Sequence, residues 1–105
     1  MPLAFSGCQK VDLQVDVPEC IENKISAFKK SNMTCEEGAS VTRYTFQEKM
    51  VYVFSPGNCI ADGGANVYDE ACDEICFLGG LAGNLECQGE VFYLNATDET
   101  ILWKN

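Results

Sequence analysis

The sequence predicts an α+β fold, with one N-terminal helix packed on a mainly antiparallel β-sheet and disulfides stapling the whole. Three observations carry this. Ile21, Ile25 and Phe28 recur at i, i+4 and i+7, the spacing of one helical stripe. From Ser40 onward the chain is a succession of short runs dense in β-branched and aromatic residues. Seven cysteines fall within 105 residues, and that density in a small domain points to a disulfide framework made in an oxidising compartment.

Each element has its own local warrant. Pro18 suits the first turn of a helix, and Glu19 meets the positive end of the helix dipole. Lys29 and Lys30 suit the last turn and Asn32 is an acceptable stop, so a helix is expected over 18–31 with a loop from Met33 to Ala39. SVTRYTFQEKMVYVFSPG reads as a hairpin. A turn at Glu48-Lys49 sets Tyr44 opposite Val53 and Phe46 opposite Val51, on the face expected to meet the helix. Glu-Lys is poor chemistry for a two-residue turn, so a longer loop is the alternative. The other face, with Tyr52 and Phe54 beside Arg43 and Thr45, is expected to be half buried. VYDEACDEICFLGG is ambiguous: Tyr68, Ala71, Cys72 and Ile75 recur at helical spacing in a short, uncapped segment. GEVFYLN and ETILWKN supply two further strands, with Trp103 as a core anchor.

A chain of this length makes one domain with one modest core. Its hydrophobic content of 47% is ample for a globule. A formal net charge of -9, with seven Lys and Arg scattered along the chain, excludes the basic face that a nucleic-acid backbone requires. The same charge opposes adsorption on anionic headgroups. No apolar run has the length of a spanning helix, about 18 residues.

The opening Leu3-Ala4-Phe5-Ser6-Gly7-Cys8 resembles the end of a bacterial lipoprotein signal peptide, in which a large apolar residue and two small ones precede the lipidated cysteine. A basic segment and an apolar stretch of about 7–15 residues are then expected upstream of Met1. Lipidation of Cys8 leaves Cys20, Cys35, Cys59, Cys72, Cys76 and Cys87, and six pair into three disulfides where seven cannot. Among the pairs, Cys76 with Cys87 is favoured, because the GGLAGN loop can fold back between them. Cys20 with Cys35 is disfavoured by the helix that follows Cys20. Gln9-Lys10-Val11-Asp12 is similar to the export signal of some surface-exposed Gram-negative lipoproteins. The expected organisation is thus a signal-peptide remnant over 1–7, a tether over 8–18 and a single disulfide-rich domain over 19–105.

From Cys20 onward, CIENKI, YTFQEKMVYVFSPGNC and VYDEACDEIC followed by GG resemble domain of unknown function 6970, a family found in Gram-negative lipoproteins. The resemblance implies a helix on an antiparallel sheet. It also draws VYDEACDEIC into a tight hairpin, with Val67–Asp69 pairing near Glu74–Cys76. The usual turn there is glycine-rich, so Cys72 in that place implies an added disulfide. No catalytic residues come with the family. Separately, CIADGGANVYDEAC is similar to the CxSDGxTYxNxC core of Kazal-type protease inhibitors, with two extra residues between Cys59 and Tyr68.

Without histidine, the commonest general base near neutral pH and any Ser-His-Asp or Cys-His arrangement are absent. Sixteen acidic residues supply carboxylate pairs by chance, and nothing in their spacing singles one out. Asp62, Asn66, Asp69 and Glu70 are weak calcium candidates, since their loop lacks the order of an EF-hand. With no CxxC pair, no structural metal and no cofactor are expected. The expectation is a lipid-anchored, non-enzymatic, extracytoplasmic module, monomeric, held to the membrane through Cys8 at the outer membrane or cell surface. No nucleic acid is expected as a partner, and a protein or glycan partner is left unidentified; the alternative is a secreted Kazal-like protease-inhibitor or calcium-binding module.

Overall fold

The computed structural model describes residues 16–31, 38–57 and 64–104. Cys8, Cys35, Cys59 and Asp62, the segment 1–7 and most of the tether lie outside the described residues. Helix α1 runs Glu19–Ser31, with Glu19 and Glu22 in its first turn and Lys29 and Lys30 in its last. Both ends therefore complement the dipole. Ile21 and Ile25 of the predicted stripe are buried, and Phe28 is partly buried beside them.

Strands β1 (Ser40–Phe46), β2 (Lys49–Ser55), β3 (Gly64–Tyr68), β4 (Glu74–Gly79) and β7 (Thr97–Lys104) form one sheet in the order β4-β3-β2-β1-β7. All of its neighbouring strands run antiparallel. Strands β5 (Glu86–Cys87) and β6 (Glu90–Val91) make a separate small ladder, followed by α2, a single helical turn over Phe92–Asn95. The α+β class and the disulfide staples are as the sequence predicts.

The sheet has a core on each face. On one, Phe46, Val51, Val53, Ala65, Val67 and Leu78 pack under Cys87 and Phe92, which arrive from β5 and α2. On the other, Val41, Tyr52 and Phe54 pack under Ile21 and Ile25 of α1. Three layers result, with the sheet in the middle.

Four expectations are corrected here. The hairpin turn is Gln47-Glu48, one residue earlier than expected, and both residues have positive φ (53° and 67°) as a type I′ turn demands. Tyr44 therefore pairs with Val51, and Phe46 with Lys49. This displaces the register by two residues, so every side chain keeps its face. Second, α1 does not cover the Tyr44, Phe46, Val51 and Val53 face; the C-terminal β5–β6–α2 segment does. The helix covers the opposite face, where Tyr52 and Phe54 are 1% and 3% exposed rather than half buried. Third, Phe92–Asn95 is a helical turn and not a strand. This turn drops Phe92 into the core and lets Ala96 N–H bond the Phe92 carbonyl at 2.8 Å. Fourth, Trp103 is partly buried at the margin of the helix-side core, edge-on to Phe28, because its strand is the sheet's outermost.

Candidate functional site

Among the described residues, two disulfides fix the layers to one another. Cys76 of β4 is bonded to Cys87 of β5, with Cα atoms 5.3 Å apart, tying the small ladder to the sheet. Asn84 organises the intervening loop: its side-chain amide donates to the carbonyls of Phe77 and Glu86, each at 2.8 Å. Gly79 and Asn84 close the same loop through reciprocal main-chain bonds.

Cys20, in the first turn of α1, is bonded to Cys72, 52 residues away and 6.3 Å between Cα atoms. Cys72 occupies the β3–β4 turn with φ 69°, the left-handed region where a glycine is ordinarily found. The turn holds itself: Asp69 Oδ1 accepts from the backbone N–H groups of Ala71 (2.9 Å) and Asp73 (3.0 Å). Val67 pairs with Cys76 and Tyr68 with Glu74, a tight hairpin with a bulge between them.

Of the weak calcium candidates, Asn66, Asp69 and Glu70 fall within the described residues and Asp62 outside them. Asn66 lies within β3 and its side-chain amide donates to Glu74 Oε2 at 2.8 Å. Asp69 is engaged in its own turn, and Glu70 is exposed beside it. Among the described residues no three acidic, cysteine or histidine side chains group as a metal site.

Sequence reasoning missed a shallow groove of about 220 Å³ between the second half of α1 and the sheet, lined by Lys24, Phe28, Ser31, Phe54, Asn66 and Tyr68 among others. Phe54 meets Phe28 and Tyr68 edge-on, with centroids 5.4 and 5.3 Å apart. Lys24 Nζ sits 4.3 Å above the Tyr68 ring, a cation–π contact that covers that ring face. The one sequence signal for it was Lys24, placed one residue before Ile25 and so at the border of the apolar stripe. A second groove, about 250 Å³, lies at the far end of the sheet beside Leu78, Leu85 and Tyr93.

All four tyrosines hold their protons more tightly than usual. Burial, then the neighbouring Glu99 and Tyr93, push the Tyr44 phenol up to about 12. Its hydroxyl donates to Glu99 Oε2 at 3.5 Å. Burial raises Tyr52 with help from Glu70 and against Arg43; burial followed by Glu74 raises Tyr68, and burial followed by Glu99 raises Tyr93. A phenol pushed upward is a poorer base near neutral pH, so these groups serve packing and hydrogen bonding.

No curated protein and no solved structure matches the chain. A family model does: residues 26–105 match Domain of unknown function (DUF6970), which spans α1 from Ser26 and every strand of the fold, and the chain belongs to that family.

Proposed function

We propose that this domain is an extracytoplasmic module carried on a lipid anchor at Cys8, with a binding or structural role at the outer membrane or cell surface and no catalytic site. The observation that carries the reading is the use of cysteine. Cys20–Cys72 and Cys76–Cys87 are built into the two layers that cover the sheet, and such bridges suggest an oxidising environment. The lipoprotein-like run Leu3–Cys8 supplies a separate use for the odd cysteine. No helix among the described residues is long and apolar enough to cross a membrane.

Groove size favours a structural or protein- or glycan-binding role over a small-molecule enzyme. The two grooves described among residues 16–31, 38–57 and 64–104, of about 220 and 250 Å³, fall below the roughly 300–1,000 Å³ of ordinary ligand sites. At one of the sheet's two edges, β7 carries register shifts against β1, a positive φ at Asp98 and charged residues at both ends, which favours a monomer. The acidic surface argues against nucleic acid as a partner. No observation adds weight to the Kazal-like or calcium-binding alternative.

The test is metabolic labelling with palmitate of the gene product expressed from its own upstream sequence. The reading expects label in a membrane fraction and its loss in Cys8→Ser. An unlabelled product, or label retained by Cys8→Ser, overturns it.

A further inference from the structure

We propose that the Cys20–Cys72 bridge is a thiol–disulfide exchange site that latches α1 to the sheet, and that a dithiol opens it while Cys76–Cys87 stays closed. The two pairs of sulfurs behave differently after reduction. Cys76 and Cys87 are 11 residues apart and face each other across β4 and β5. The Gly79–Asn84 main-chain bonds and the Asn84 side chain continue to hold that loop whether or not the sulfurs are joined. Their thiols stay adjacent, so the effective concentration favouring reclosure remains high. Cys87 is also buried, 1% exposed, which hinders attack at its sulfur and leaves the partly exposed Cys76 as the one point of attack.

Cys20 and Cys72 differ in their separation and in having no buried sulfur between them. They are 52 residues apart, and both are partly exposed. The Cys72 turn is closed by Asp69 without help from the bridge. Cys20, by contrast, rides on a helix of 13 residues held to the sheet by buried Ile21 and Ile25 and, at the margin, by Phe28 against Phe54 and Trp103 and Lys24 over Tyr68. A helix this short is marginal by itself and depends on its packed face. When the bridge opens, α1 moves away, the two thiols separate, and reclosure loses its high effective concentration. Undocking uncovers Val41, Tyr52 and Phe54, while the opposite core of Phe46, Val51, Val67 and Phe92 keeps the sheet intact.

The exchange balances without any further reagent. One thiolate of the dithiol attacks a sulfur of the bridge, the S–S bond breaks, and the other cysteine leaves as a thiolate that takes a proton. The second thiol of the reagent then displaces the first cysteine, which also leaves as a thiol, and the reagent departs as a cyclic disulfide. Two electrons pass from dithiol to protein.

The experiment is graded reduction of the folded protein with dithiothreitol, alkylation of freed thiols, and mass mapping beside amide hydrogen exchange. Cys20 and Cys72 are expected to be alkylated at lower reductant than Cys76 and Cys87. Exchange at the α1 amides should accelerate by about thirtyfold or more while the β2 amides keep their protection. A Cys20→Ser/Cys72→Gly variant should show the same loosened helix with no reductant present. Opening of Cys76–Cys87 first or at the same reductant overturns the proposal, as does an α1 that stays protected after Cys20 and Cys72 are alkylated or replaced.

Discussion

Val51 and Tyr52 are neighbours in β2, each is 1% exposed, and they belong to cores on opposite faces of the sheet. Consecutive side chains of a strand point to opposite faces, so simultaneous burial requires a layer on each. Here α1 supplies one and the β5–β6–α2 segment the other. The small domain thus divides its apolar residues between two thin cores instead of one thick one, and each outer layer carries its own disulfide.

The two cores should respond separately to truncation. Ile25→Ala empties part of the helix side and Phe92→Ala part of the other, at costs of about 2–5 and about 3–5 kcal/mol. The sheet separates them, so the double variant should lose the sum of the two within about 0.5 kcal/mol. Urea unfolding of both single variants and a milder pair, Ile25→Val with Phe92→Leu, measures this. A strongly non-additive pair would mean that the cores are continuous.

The turn offers a gain in stability. Glu48 has φ 67° and bears a Cβ there without a compensating side-chain contact among the described residues. Gln47, also left-handed, is anchored by its amide donating to the Gln88 carbonyl at 3.1 Å, so it should be left alone. Glu48→Gly should stabilise the domain by about 0.5–1 kcal/mol, the relief of left-handed strain minus the added freedom of the unfolded chain. A lower urea midpoint for this variant would contradict the type I′ turn.

Alkali should weaken the fold in a defined window. The tyrosine phenols are raised above their unfolded value near 10, Tyr44 up to about 12. A raised folded value means that the native state holds the proton longer than the unfolded chain does. The stabilisation is therefore complete below about pH 10 and is lost as the pH climbs through about 12. Tyrosinate absorbance followed beside urea unfolding from about pH 9 to about pH 12 should show late ionisation coupled to falling stability. Ionisation of all four near pH 10 with unchanged stability would refute the burial of these rings.

Much of this architecture was legible in the residues. Ile21, Ile25 and Phe28 announce α1 because a helix repeats its faces at 3.6 residues, and the ends are marked by charge. The side chains that share a face in the first hairpin were also legible, since a displacement of two preserves strand parity. Which face the helix covers was not, because alternation groups side chains without saying what layer lies above them. The unbroken apolar run from Met50 to Phe54 did carry a signal for burial on both faces. Phe92–Asn95 was opaque for another reason: four residues are too few to display a helical period, and Phe and Tyr favour strands by propensity. The groove beside Lys24 depends on three elements meeting, and no local pattern encodes that.

The proposed lipid anchor requires Cys8 to stay outside the disulfide framework, leaving Cys20, Cys35, Cys59, Cys72, Cys76 and Cys87 to pair among themselves. Gly38 and Gly57 approach so closely that a Cβ on Gly57 would overlap the Gly38 carbonyl. Cys35 precedes the first by three residues and Cys59 follows the second by two, which makes them the expected third pair. The most direct measurement is peptide mass mapping of the unreduced 105-residue chain after alkylation of free thiols. The expected map is Cys20–Cys72, Cys76–Cys87 and Cys35–Cys59, with the alkyl group on Cys8 alone. A bridge that contains Cys8, or an alkylated cysteine among the other six, would contradict it.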